Sequence, residues 1–195
     1  MSERAPIRIR SVEILSDDWA LLTKTTFDYR RRDGTWETQV RQAYDRGDGA
    51  VILPYDPGRG TVLLARQFRL PAYVNGHPGH LVEACAGLLD GDDPESCIRR
   101  EAEEELGCRL SDVRRVFEVF MSPGSVTERL VFFVARYAPV DRVAQGGGMA
   151  CEGEDIEVLE LALDDALAMI ATGGIIDGKT IMLLQHVKLA GLMKV

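Results

Sequence analysis

The sequence is poor in cysteine and in aromatic residues. Only 4 of its 195 residues are Cys, and 7% are Phe, Trp or Tyr. The four cysteines are Cys85, Cys97, Cys108 and Cys151; no two of them form a Cys-x-x-Cys pair, and three of the four fall in periodic apolar segments. We therefore expect reduced thiols and no disulfide framework or zinc site.

Basic charge and long apolar runs are also scarce. Acidic side chains outnumber basic ones by 31 to 23, which gives a net charge of −8 at pH 7. This excess excludes a general attraction to nucleic acid or to anionic membranes, so a polyanionic substrate would need local Arg, Lys or a metal ion. No apolar run approaches the ~20 residues of a membrane span, and residues 1–10 lack the apolar segment of a signal peptide. We expect a cytoplasmic protein.

The pattern of apolar residues divides the chain near residue 46. Residues 7–44 alternate in short runs around a turn at 32–34, which indicates a small antiparallel β-sheet. After residue 46, buried-type strands alternate with helices. We predict an N-terminal β-sheet domain over 1–45 and an α/β domain over 46–195. The predicted strands of the second domain are 50–54, 61–68, 81–84, 113–120, 129–137 and 156–161, and its later helices are 164–171 and 179–192.

The segment from Asp93 to Gly107 has the sequence signals of a helix. Asp93 is a favoured N-cap, Pro94 suits the first helical position, and Gly107 is a typical stop. Residues 86–92, which precede it, are predicted to form a loop after a strand.

Four glutamates lie near the C-terminal end of this helix, where the helix dipole is already negative. At ~100° per residue, Glu101, Glu104 and Glu105 share one face, and Glu103 points elsewhere. Carboxylates at this spacing repel each other, and a hard divalent cation such as Mg²⁺ or Mn²⁺ offsets the repulsion. A solvated acidic face is the alternative interpretation.

The region resembles the Nudix box, Gly-x5-Glu-x7-Arg-Glu-U-x-Glu-Glu-x-Gly-U, where U is apolar. Residues 100–108, Arg-Glu-Ala-Glu-Glu-Glu-Leu-Gly-Cys, match throughout. One residue fewer separates Gly87 from Arg100, and Asp92 or Asp93 replaces the first glutamate. The resemblance implies a metal-dependent hydrolase with an α/β/α sandwich around a mixed β-sheet, preceded here by the small N-terminal antiparallel sheet.

Further stretches resemble the nucleotide-sugar branch of that family, and its GDP-mannose pyrophosphatases in particular. They span nearly the whole chain from residue 12 onward and include residues 44–47, 66–69, 85–90, 121–124, 146–148 and 177–180. The implied reaction is Mg²⁺-dependent hydrolysis of GDP-mannose to GMP and mannose 1-phosphate. An ADP-ribose pyrophosphatase is the alternative, and a Nudix module that binds a nucleotide sugar without cutting it is a further one.

The resemblance also implies a metal site and a set of candidate bases. The expected metal ligands are the backbone carbonyl of Ala86, the carboxylates of Glu101 and Glu105, and a later-loop residue, Glu154, with Glu152 as its alternative. The residues that could orient the attacking water or accept its proton are Glu104, Glu128 and Glu154.

Substrate contacts are implied in the same way. Arg69 and Lys179 are expected to hold the diphosphate, and the residues expected to contact the substrate beside them are Ala86, Gly87, Glu105 and Glu128. Trp19 and Arg41 are expected to contact the nucleotide bound to a neighbouring subunit. A homodimer that exchanges its N-terminal domains follows as a hypothesis.

Overall fold

The computed structural model describes residues 6–194 and divides the chain into two compact units. The first unit contains the described residues up to 48 together with residues 120–129, and the second contains residues 49–119 and those from 130 onward. Within the described part of the chain, no helix is both long and apolar enough to cross a membrane.

Three antiparallel strands form the sheet of the first unit, in the order β1-β2-β3. They are β1 (Ile7–Asp17), β2 (Leu21–Arg30) and β3 (Trp36–Asp45). The predicted turn closes the β2–β3 hairpin: the Arg31 amide donates to the Thr35 carbonyl at 2.8 Å, and the Asp33 side chain accepts from the Thr35 amide at 2.9 Å. The expected small antiparallel sheet is confirmed.

The segment 120–129 belongs to the first unit because it pairs with the end of β3. The Tyr44 amide donates to the Ser125 carbonyl at 2.8 Å, and the Thr127 amide donates to the Tyr44 carbonyl at 3.1 Å. Asp48 adds an ion pair with Arg129 at 2.6 Å. The sequence pattern predicted the sheet but not this second segment.

The second sheet of the protein is mixed and has seven strands. Five of its strands follow the order β10-β5-β4-β9-β8, with β4 and β9 parallel. Two further strands pair with β5 and β4. The bounds are β4 (Gly49–Asp56), β5 (Thr61–Phe68), β6 (His80–Glu83), β7 (Cys85–Leu88), β8 (Val113–Phe120), β9 (Arg129–Arg136) and β10 (Glu157–Ala162).

Strands β4 and β5 leave their hairpin paired and then diverge. Tyr55 still pairs with Val62, but further along β5 pairs with β6 and β4 pairs with β7. Only Ala84 separates β6 from β7. The chain therefore bends sharply inside the gap between two buried strands, and this bend positions the candidate site.

The helices cover both faces of this sheet. They are α1 (Leu70–Val74), α2 (Pro94–Leu106), α3 (Leu163–Thr172) and α4 (Gly178–Leu189). Because side chains alternate along a strand, Ala50 and Ile52 of β4 face the core cluster that contains Ile98 and Ala102 of α2. The intervening β4 residues point to the opposite face, and α4 also packs on β4. The predicted α/β/α sandwich with a mixed sheet is confirmed.

One local prediction was wrong, and one short helix was not predicted. Residues 86–88 are not loop but part of β7, since they pair with Gly49–Val51 of β4. Gly87 consequently lies within a strand and not in a tight loop. Helix α1 was not predicted, because five residues carry no periodic pattern.

Candidate active site

The bend between β6 and β7 places the backbone of Ala86 and Gly87 beside α2. A Cβ atom at residue 87 would overlap the carboxylate of Glu101, so only glycine permits this approach. Helix α2 begins as predicted: the Asp93 side chain accepts from the amides of Glu95 and Ser96, both at 3.1 Å, and Pro94 follows it. The helix ends at Gly107, whose φ of 64° is left-handed.

The four glutamates near the C-terminal end of α2 divide as their spacing predicts. Glu103 points away and forms two hydrogen bonds with Arg109, at 2.6 and 3.1 Å. Glu101 and Glu104 share the guanidinium of Arg100, at 3.3 and 3.7 Å. Glu105 lies on the same side and is only 2% exposed. This face is therefore not a fully solvated acidic surface, which was the alternative interpretation.

Glu105 is a buried carboxylate with one unsatisfied oxygen. Its Oε2 atom has no hydrogen-bond partner among the described residues, while its side chain accepts a hydrogen bond from the Cys85 thiol. Burial raises the pKa of Glu105 to about 7; the Cys85 bond and Arg69 oppose the shift, and the charges of Glu101 and Glu154 add to it. An ionised Glu105 therefore forms no ion pair with a described residue.

The donor set fits a hard divalent cation. Carboxylates of Glu101 and Glu105 and the backbone of Ala86 provide oxygen atoms, the type of ligand that Mg²⁺ and Mn²⁺ prefer. The orphaned Oε2 of Glu105 is an acceptor that such an ion would satisfy. Among the described residues, no three His, Cys, Asp or Glu side chains already stand in coordinating geometry. Backbone carbonyls such as that of Ala86 are not among those side-chain groups.

A run of three glycines, residues 146–148, crosses the C-terminal end of α2. The Gly147 amide donates to the Glu105 carbonyl at 2.9 Å, and the Gly148 amide donates to the Glu104 carbonyl at 3.1 Å. All three glycines have positive φ. A Cβ at Gly146 would overlap the Glu105 carbonyl, so this strap needs glycine.

Glu154 follows the strap and is held by its own loop. Its Oε2 atom accepts from the Met149 amide at 2.8 Å, and its charge contributes to the raised pKa of Glu105, after burial and Glu101. The side chain of Glu152, the alternative residue, lies outside the part of the structure that is described. The role of Glu154 as a metal ligand stays a prediction from the resemblance.

Arg69 and Lys179 meet at a carboxylate that the sequence analysis did not select. Glu83, the last residue of β6, accepts from Arg69 Nε at 2.7 Å through Oε2 and from Lys179 Nζ at 2.6 Å through Oε1. Lys179 also donates to Asp177 Oδ1 at 2.8 Å. The structure therefore brings the two predicted cations to one anion. A lone acidic residue in the apolar run 81–86 was the sequence signal for it.

The same turn of α4 supports the bend. Thr180 is fully buried; its hydroxyl donates to Asp177 Oδ2 at 2.6 Å and accepts from the Ala84 amide at 2.6 Å. Asp177 also caps the helix by accepting from the Thr180 amide at 3.0 Å. The residue between β6 and β7 is thus tied to α4.

The remaining predicted residues lie in the first compact unit. Glu128 is buried and forms an ion pair with Arg46. Trp19 is 70% exposed, with its ring 6.5 Å from that of Tyr44. Arg41 lies on β3 and lines an open cleft of about 590 Å³ within this unit, together with residues 120 and 123–127.

Two family models match the chain. One, described as the GDP-mannose pyrophosphatase NudK N-terminal domain, matches residues 6–44, and a model of the NUDIX domain matches residues 45–184. A GDP-mannose pyrophosphatase of Pectobacterium atrosepticum is 54% identical over 188 residues, 96% of this chain and 96% of the relative. A GDP-mannose pyrophosphatase of Yersinia enterocolitica is 54% identical over 187 residues, 95% of this chain and 96% of the relative.

Proposed function

The chain belongs to the Nudix family of hydrolases, and we propose that it cleaves the diphosphate of GDP-mannose to GMP and mannose 1-phosphate. The observation that carries the proposal is the buried, half-unsatisfied Glu105 beside Glu101 and the Ala86 backbone. Similarity to GDP-mannose pyrophosphatases across 96% of the chain supports the choice of substrate. A binding module that does not cut its ligand is disfavoured, because the three box glutamates are present and share one side of α2.

We assign the metal to Glu101, Glu105, the Ala86 carbonyl and Glu154, with Mg²⁺ as the ion and Mn²⁺ as a substitute. When bound, a divalent ion neutralises charge that develops on the diphosphate and acidifies a bound water. Glu105 supplies its charge to the ion only when it is deprotonated, so binding releases a proton below pH 7.

The base is assigned to a set of glutamates. Glu104, which shares a face of α2 with Glu101 and Glu105, or Glu154 could accept the proton of the attacking water. Glu104 is already engaged with Arg100, and Glu154 with the Met149 amide. Glu128, in the other compact unit, stays a candidate from the resemblance.

Arg69 and Lys179 are assigned to the diphosphate. A guanidinium fork matches two phosphate oxygens and an ammonium provides a point charge, so the pair suits a diphosphate better than a single phosphate. Gly87 contributes close backbone approach, because it has no Cβ. The contacts of Trp19 and Arg41 with a nucleotide stay predictions from the resemblance.

A homodimer is part of the proposal, with residues 1–45 as the dimerisation domain and residues 46–195 as the catalytic domain. Four apolar side chains of β1, Ile7, Ile9, Val12 and Ile14, pair with Tyr29, Phe27, Thr25 and Thr23 of β2, so all four share one face. The register shift between Ile9 and Ser11 is the reason why Val12 and Ile14 point to the same face as Ile7 and Ile9. Their exposure, 45–62%, leaves an apolar face that a second copy of the same sheet would bury. A cytoplasmic location stays a prediction from the sequence.

The substrate proposal is tested by initial rates. Release of nucleoside monophosphate from GDP-mannose and from ADP-ribose is measured side by side, with Mg²⁺ and with EDTA. A higher kcat/KM for GDP-mannose that disappears in EDTA is the expected result. Preference for ADP-ribose would assign the sister activity, and no Mg²⁺-dependent release from either would refute hydrolysis of both substrates.

A further inference from the structure

Glu83 is a buried carboxylate that serves two cations at once. It is 3% exposed, and each of its oxygens accepts from a different cation, Arg69 at 2.7 Å and Lys179 at 2.6 Å. It lies on β6, three residues before Ala86. None of the roles proposed above uses it.

Stability does not account for such an arrangement. A carboxylate removed from water loses solvation free energy that its partners recover only with good geometry. Well-packed apolar residues of similar size are often as stable or more stable. A buried ion triad is therefore better understood from the orientation it gives its members.

The bond to Glu83 leaves the two terminal nitrogens of the Arg69 guanidinium available to a ligand. Glu83 binds only Nε, and the two terminal nitrogens of this guanidinium make no hydrogen bond to any described residue. Those nitrogens form the fork that binds phosphate oxygens in a bidentate manner. Glu83 ends β6, and only Ala84 separates β6 from β7, the strand that carries Ala86, so the guanidinium that Glu83 binds lies at the bend that positions the candidate site.

Lys179 is fixed in a similar way. Its side chain is 13% exposed, and Nζ donates to Glu83 at 2.6 Å and to Asp177 at 2.8 Å. An ammonium has three N–H groups, so one donor is left. Each cation thus donates to Glu83 with one of its N–H groups and has at least one further N–H group that is not engaged in this way.

We propose that Glu83 is a positioning residue: it orients Arg69 and Lys179 so that their remaining donors converge on the diphosphate of the substrate. The proposal rests on the assignment of those two cations to the diphosphate. If Glu83 only neutralised them, Glu83→Gln would add net positive charge and tighten the binding of a nucleoside diphosphate. Positioning predicts that Glu83→Gln weakens this binding, because the two cations would repel each other without their shared anion.

The test is calorimetric titration of the full chain with GDP in the presence of Mg²⁺. We expect Glu83→Gln to weaken GDP binding about tenfold. In the Arg69→Ala background the same substitution should weaken GDP binding by a smaller factor, because only the effect of Glu83 through Lys179 is left. The matched control is Glu160→Gln. Glu160 lies on β10 and its carboxylate accepts from Arg59 at 2.5 Å, so this variant also removes a carboxylate that is paired with an arginine. It should leave the GDP affinity unchanged.

Unchanged or tighter GDP binding by folded Glu83→Gln, or fully additive effects in the double variant, would overturn the proposal. If Glu83→Gln does not fold, Arg69→Lys serves as the test instead. A lysine at position 69 keeps the charge but has no planar fork that could bind Glu83 through Nε and two phosphate oxygens through its terminal nitrogens. Weaker GDP binding is therefore expected, and wild-type affinity would contradict the proposal. Calorimetry does not depend on turnover: a wild-type chain that binds GDP but does not cleave GDP-mannose refutes the proposed function alone. A wild-type chain that does not bind GDP refutes the positioning role as well.

Discussion

Glu103 and Glu105 are two residues apart on α2 and have opposite environments. Glu103 is partly exposed, with 40% of its side chain accessible, and is paired with Arg109 at 2.6 Å, whereas Glu105 is buried with one oxygen unpaired. Two residues are ~200° apart around a helix, so one carboxylate meets solvent and the other meets the β6–β7 bend. Only the second is suited to hold a cation.

Substitution of these two residues distinguishes a metal ligand from a surface carboxylate by the effect on turnover. Glu105→Gln should lower kcat about 100-fold or more, because it removes a charged metal ligand while keeping the shape of the side chain. Glu103→Gln on the same helix should retain turnover within about twofold, since surface changes have small effects. Initial rates at saturating Mg²⁺ check both. Near-wild-type turnover of Glu105→Gln would refute the metal assignment.

The pH dependence of stability is a second consequence at this scale. Burial raises the pKa of Glu105 from 4.5 to about 7, so the folded chain favours the protonated form. In EDTA this contribution to stability is complete below pH 4.5 and is lost as the pH rises through about 7, on the order of 3 kcal/mol in all. Glu105→Gln should lack that loss. Denaturant unfolding of both chains at pH 5 and pH 8 measures it, and equal pH dependence of the two chains would contradict the account.

Spacing alone predicted which glutamates share a face, because 3.6 residues per turn is a property of any helix. It could not predict that Glu105 is buried or that the Cys85 thiol donates to it, since both depend on a strand distant in sequence. The role of Glu83 was not predicted for the same reason: its two cations lie 14 residues before and 96 residues after it.

The elements that build the site are joined at the bend between β6 and β7. Ala84 sits where β4 and β5 have diverged, and its amide donates to the Thr180 hydroxyl at 2.6 Å. That hydroxyl in turn donates to the N-cap residue Asp177 at 2.6 Å. The start of α4 and the strand that carries Ala86 are therefore one connected unit.

Thr180 is the residue that tests this connection. Thr180→Val keeps the side-chain volume but leaves the Ala84 amide buried without a partner, so we expect a loss of about 1–3 kcal/mol in the free energy of unfolding. Thr180→Ser restores the hydroxyl and should recover most of that loss. Urea unfolding of the three chains gives the comparison. Equal stability of the Val and Ser variants would show that the hydroxyl is not needed.

Elements with strong local signals were predicted well. Helix α2 has its N-cap, its proline and its terminal glycine in sequence, and the structure confirms each of them. Strand β7 was missed, because Ala, Gly and Leu have little intrinsic preference for strands and the pairing with β4 decides their conformation. Glycine at 87 looked like a turn residue but is required by the approach of Glu101.

At the scale of the whole molecule, the N-terminal sheet presents apolar side chains without cover in the described chain. Ile9 is 54% exposed and Ile14 is 62% exposed, and they share one face of β1. A three-stranded sheet is at the lower limit of independent stability. The proposed association with a second copy would cover this face.

Sedimentation of the wild-type chain at micromolar concentration should therefore show a dimer. Ile9→Asp with Ile14→Asp should shift it towards the monomer, because two charges would be buried at the interface. Glu13→Gln is the matched control on the same strand: Glu13 pairs with Lys24 on β2, and its substitution should leave the dimer intact. A wild-type monomer would refute the dimer.

The identity of the reaction products tests the central claim most directly. Phosphorus NMR of GDP-mannose incubated with the wild-type chain and Mg²⁺ should show the diphosphate resonances replaced by those of two phosphomonoesters, GMP and mannose 1-phosphate, in equal amounts. GDP with free mannose would place cleavage at the glycosidic bond and contradict the account, and so would an unchanged spectrum.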